Sequence, residues 1–68
     1  MQKFELRIYA PVSATKHLQG LKRTVVFLAD DKDDAIARAR KMHLPDLDAD
    51  DKVFVFDEGG NQISIVRP

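Results

Sequence analysis

The chemistry-bearing residues of this chain are mostly aspartates, and they fall in two runs. The stretch ADDKDDAIARARKMH, residues 29–43, sets Asp30, Asp31, Asp33 and Asp34 ahead of Arg38, Arg40, Lys41 and His43. The stretch PDLDADD, residues 45–51, holds Asp46, Asp48, Asp50 and Asp51. Carboxylates at such density bind calcium when a loop turns them onto one point. The first run has neither the glycine nor the distal acid that an EF-hand loop requires. Its acids-then-bases order suits a helix whose end charges match its dipole. Asp30 or Asp31 would be the N-cap, with Asp33 or Asp34 closing an acidic variant of the capping box. The second run does have D-x-D-x-D spacing in Asp46, Asp48 and Asp50, with Asp57 at the twelfth position. Asp51 stands where the turn glycine belongs, and the twelfth position ends a strand instead of entering a helix. A solvated acidic loop is the expectation, with calcium at Asp46, Asp48 and Asp50 as the alternative.

The basic residues make one cluster. Lys16, Lys22 and Arg23, with His17, Ser13 and Thr15 nearby, have the donors to hold a phosphate or a nucleic-acid backbone. Arg7 and Tyr9 on an open strand would add stacking groups of the kind single-strand binders use. Against this, the chain carries 11 basic and 11 acidic residues, so no general field draws it to polyanions. It also lacks the aromatic-rich motif of RNA-binding sheets. His43 at a helix end suits the dipole, and His17 has no triad partner in view. No G-x-S-x-G, P-loop, G-x-G-x-x-G or H-E-x-x-H occurs, so no catalytic residue, metal or cofactor is assigned and the expectation is a non-enzyme.

These side chains need a scaffold, and 68 residues supply a single domain with a thin core. There is no cysteine, hence no disulfide or zinc–thiolate staple. A hydrophobic fraction of 44% with 32% charged residues fits a folded chain. The longest apolar run, Val25 to Ala29, is too short to span a membrane, and Met1-Gln2-Lys3 opens onto a strand pattern, not a signal peptide. A cytoplasmic location is the expectation. Zero net charge conceals an asymmetry. Residues 1–29 hold five bases and one acid; residues 30–68 hold ten acids and six bases. Such polarity allows head-to-tail contact between copies.

Period-two alternation in KFELRIYA, residues 3–10, marks a strand with Phe4, Leu6 and Ile8 on one face, ended by Pro11. KRTVVFLA, residues 22–29, is β-branched and reads as its hairpin partner across a connection of about ten residues, long for a hairpin. A helix follows from Asp31 to about His43, where Pro45 stops it. Ala35, Ile36, Ala39, Met42 and His43 share an arc of roughly 120° on it. Val53 to Phe56 and Ile63 to Val66 flank Asp57-Glu58-Gly59-Gly60-Asn61, whose last three residues tolerate the positive φ such turns require.

The result is a ββαββ α+β domain: one four-stranded, largely antiparallel sheet in the order 2-1-3-4, with one helix on one face. A lone helix cannot cover both faces, while VFVF and VVFL place large apolar groups on each. Tyr9, Phe27, Phe54 and Phe56 are the expected interface residues, on an uncovered face that takes a second copy or another protein. Binding of nucleic acid or an anion through Lys16, Lys22 and Arg23 is the alternative. The layout resembles that of many small bacterial and phage domains, compact phage-encoded inhibitors among them, in scale and element order without a diagnostic motif.

Overall fold

A computed structural model describes residues 1–11 and 19–67 of the chain. The strands β1 (Gln2–Pro11), β2 (Gln19–Ala29), β3 (Lys52–Phe56) and β4 (Gln62–Arg67) form one antiparallel sheet in the order β2-β1-β3-β4. The helix α1 (Lys32–Lys41) follows β2 directly and packs on one face. The expected element order, antiparallel sheet and strand order are all observed.

The first hairpin is longer than its alternation suggests. Pairing continues to Pro11↔Gln19, so Pro11 closes the ladder from within its last rung. β3 pairs only with residues 5–9 of β1, which leaves the Pro11 end with a neighbour on one side alone. A residue without an N–H is tolerated at such a strand end.

The helix begins where its acids require. Asp31 is the N-cap, and its Oδ1 accepts from the Asp34 backbone N–H at 2.8 Å. Asp34 Oδ2 accepts from the backbone N–H of Asp30 at 2.9 Å and pairs with Arg38 Nε at 2.9 Å. Of the alternatives open in the sequence, Asp31 is thus the N-cap and Asp34 its N3 partner, although Asp34 reaches back to the N–H of Asp30 and not to that of the cap itself. These two donors hold the Asp34 carboxyl below its ordinary range, the Asp30 N–H more than Arg38. The helix ends at Lys41, with the Met42 N–H returning to the Ala39 carbonyl at 3.2 Å. His43 lies beyond that end and is exposed, not part of the packed arc as expected. Pro45 bends the chain into a turn closed by Leu47 N–H to Leu44 O, and this shortens the helix.

The core lies between α1 and the near face of the sheet. Phe4, Leu6 and Ile8 of β1 and Val53 and Val55 of β3 are fully buried, and Ala35 and Ala39 of the helix come down onto them. Alanines at these two positions let the helix axis approach the sheet closely. β4 reaches the same core by breaking its alternation. The register shifts twice along it, passing over Ile63 and Val66. Both pack against the core although they stand three apart, a spacing that strict period two sends to opposite faces.

Candidate functional site

The second hairpin shows how local sequence sets the ends of the site. Gly60 N–H donates to Asp57 O at 3.1 Å, and Asn61 N–H donates to Asp57 Oδ1 at 2.9 Å. Gly60 takes φ +85 and is the only residue of the turn to use the positive-φ region expected of Gly59, Gly60 and Asn61. This is a turn closed by an αL residue, and it starts the β3–β4 pairing at Phe56↔Gln62.

That outer face, remote from α1, is the candidate site. The pairing registers assemble it in four rows across the strands. Leu28 stands beside Lys3; Val26, Glu5, Phe56 and Gln62 form the second row. Thr24, Arg7, Phe54 and Ile65 form the third, and Leu21, Tyr9 and Lys52 the fourth. Leu21, Val26, Leu28 and Ile65 are 56, 54, 53 and 48% exposed. Tyr9 meets Phe54 edge-on, ring centroids 5.6 Å apart, and the Arg7 guanidinium lies 4.0 Å from the Phe56 ring centre. Arg7 Nε and Nη2 both donate to Glu5 Oε2, at 3.0 and 2.8 Å. This holds the Arg7 pKa above its ordinary value, through Glu5 first and Tyr9 second. The middle of the face is thus one ion pair framed by three aromatic rings.

Tyr9, Phe54 and Phe56 stand on this face, both phenylalanines together. Phe27 does not, which corrects the expectation. Its direct partner across the ladder is Phe4, the two ring centroids are 6.0 Å apart, and both pack against the core beneath α1. Partners directly opposite in a ladder share a face, so the burial of Phe4 fixes Phe27 inward. Sequence reasoning missed Leu21, Val26, Leu28 and Ile65, the most exposed apolar members of the face. Once Phe27 is paired with Phe4, alternation along β2 delivers Val26 and Leu28.

The basic and acidic clusters meet each other. The register of β1 against β2 shifts between Ile8 and Tyr9, which makes Lys22 an extra residue in β2. A bulge re-aims side chains, and here both Lys22 and Arg23 reach the acidic loop. Lys22 Nζ donates to Asp51 Oδ2 at 2.6 Å, to Asp46 O at 2.7 Å and to Asp48 Oδ2 at 3.1 Å. Arg23 Nη1 donates to Asp46 Oδ1 at 2.9 Å. Asp51, 2% exposed, also accepts the Asp48 N–H at 2.9 Å, while its own N–H returns to Asp48 O. Lys22 is the larger cause, and Asp48 the next, of the depressed Asp51 pKa; the Lys22 pKa is correspondingly raised, by Asp51 first. Arg67 Nη2 donates to Ala49 O from the other side.

Lys22 and Arg23, expected to contact an anion or nucleic acid, thus meet carboxylates of the acidic loop within the chain. The calcium alternative at Asp46, Asp48 and Asp50 is corrected on the same grounds. Two of the three carboxylates turn to cations, Asp50 is exposed, and among the described residues no three potential ligands gather around one point. Lys16, His17, Ser13 and Thr15 lie outside the described residues. The described residues enclose no pocket, and no helix among them is long and apolar enough to cross a membrane.

Fold and site together define a two-layer α+β domain, with one face of its sheet packed and the other open. Comparison with known proteins finds no matching family model, no matching curated protein and no matching solved structure.

Proposed function

We propose that this protein is a small non-enzymatic interaction module that works through the open face of its sheet, by self-association. The observation that carries this reading is the half-exposed set Leu21, Val26, Leu28 and Ile65, lying in the same rows as Tyr9, Phe54 and Phe56. Exposed large apolar side chains gathered on one face mark an association surface more often than a solvated one. Rigid aromatic anchors beside an arginine have the composition of interface centres.

The test is sedimentation velocity or light scattering on the wild type and on Tyr9→Asp and Phe54→Asp. The wild type is expected to associate with rising concentration. Both variants are expected to stay monomeric with an unchanged circular dichroism spectrum. A wild type that remains monomeric to millimolar concentration overturns the reading. Salt-sensitive binding of an oligonucleotide, lost in the same two variants, would transfer the face to nucleic acid.

A further inference from the structure

The open face is self-complementary, and we infer that its occupant is a second copy of this chain. The two copies dock face to face about a two-fold axis that crosses the strands between the Glu5 and Arg7 rows. This inference rests on the reading above and specifies the partner and its orientation.

The four rows decide it. A two-fold axis lying in the plane of the face, perpendicular to the strands, keeps each strand column in place and exchanges the rows. The Glu5 row then meets the Arg7 row, and the Leu28 row meets the Leu21 row. Glu5 comes opposite Arg7 of the second copy, and Arg7 opposite its Glu5. A closed, isologous contact of this kind is the usual form of a homodimer. Phe56 comes opposite Phe54, Val26 opposite Thr24, and Leu28 opposite Leu21. The cation Lys3 comes opposite Tyr9, whose ring can take a positive charge on its face.

The charge pattern supports a copy over an unrelated partner. One acid and one base sit side by side at the centre of the face, and both Arg7 donors go to a single carboxylate oxygen, Oε2. Glu5 Oε1 accepts neither of them, so it can receive the second copy's guanidinium. The two pairs would close into a ring of four alternating charges. Shifting the docking by one row along the strands sets like charges or an unpaired charge against apolar groups, a cost that selects the register. The zero net charge of the chain leaves no long-range repulsion to overcome. A face of four strands, about 4.8 Å apart, by six residue steps measures roughly 19 by 20 Å. That is about 380 Å² per copy, below the roughly 800 Å² per partner of a stable interface, so the dimer is expected to be weak and transient and the measurement should extend to millimolar protein.

The experiment is a charge exchange read by sedimentation equilibrium. Glu5→Lys alone and Arg7→Glu alone each place like charges together across the axis, and each is expected to dimerise at least tenfold more weakly than wild type. Mixed in equal amounts, the two variants restore opposite charges at both positions and are expected to form a heterodimer at near wild-type affinity. The double exchange Glu5→Arg with Arg7→Glu is expected to dimerise with itself. Circular dichroism melts on every variant establish folding, and the milder Glu5→Gln, expected to weaken dimerisation without repulsion, covers the case of a misfolded single variant. If Phe54→Asp abolishes dimers but the mixed single variants form none, the face reading stands and the proposed axis is wrong. If the wild type never dimerises, both fall.

Discussion

The two faces of the sheet both carry large apolar side chains, but only the outer one sets charged residues at its centre. Phe4, Leu6, Ile8, Val53 and Val55 are sealed under α1, while Tyr9, Val26, Leu28, Phe54, Phe56 and Ile65 look outward from the same four strands. What separates them is α1, which packs through Ala35 and Ala39 on one side of the sheet. Charge follows the same division. On the helix side the ionic contacts join distant segments, Lys22 and Arg23 to the loop of residues 46–51, and they fasten the fold. At the centre of the open side, Glu5 and Arg7 are neighbours on one strand, and Arg7 also lies over the Phe56 ring of the adjacent strand.

Substitution can break this contrast. The largest effect is expected from Leu6→Ala, which removes a buried side chain at the centre of the core and should cost about 2–5 kcal/mol of unfolding free energy in urea titration. A loss well under 1 kcal/mol would mean that the near face is not the stabilising one.

Next comes Asp51→Asn, which leaves the Lys22 ammonium short of its nearest carboxylate. A lower Tm at neutral pH is expected, and pH sharpens the test. Asp51 is held below its ordinary pKa, so its contribution is present above the usual carboxylate range and is lost as pH falls through its lowered folded value. Asp34 and Asp57 are lowered too and add to the same acid limb. Melting the wild type and Asp51→Asn across the acid range should show a shallower fall in the variant. Identical acid limbs would show that the Lys22–Asp51 pair contributes nothing.

A smaller loss, about 1 kcal/mol, is expected of Asp31→Ala, which removes the N-cap acceptor of Asp34 N–H. Thermal melts followed at the helical signal would report it. The smallest effect on stability belongs to the open face. Val26→Ser should change unfolding free energy by no more than about 0.5 kcal/mol, as surface substitutions usually do, while weakening association. A large loss of monomer stability there would erase the distinction between the faces.

Much of this was legible along the chain. Alternation at Phe4, Leu6 and Ile8 gave β1 its buried face, and the four aspartates with Ala35 and Ala39 placed the helix and its packed side. Asp57 to Asn61 placed the second hairpin. Phe27 was not legible, because Val25, Val26, Phe27 and Leu28 are apolar at both parities and alternation has nothing to separate. The excess of bases before residue 30 and of acids after it was visible, but its destination was not. It reads equally as contact between copies, and the fold directs part of it inward through Lys22 and Arg23.

Local composition alone determined the elements, their order and the mismatch between one helix and two apolar faces. Propensity, capping and periodicity act over a few residues, and the chain states them directly. The tertiary structure alone decided which face of β2 and β4 turned inward, through the pairing of Phe4 with Phe27 and the bulges at Ile63 and Val66. It also decided that the basic residues of β2 would meet the acidic loop. Strand register and bulges are set by packing between segments far apart in sequence, where a slip of one residue exchanges every side chain between core and surface.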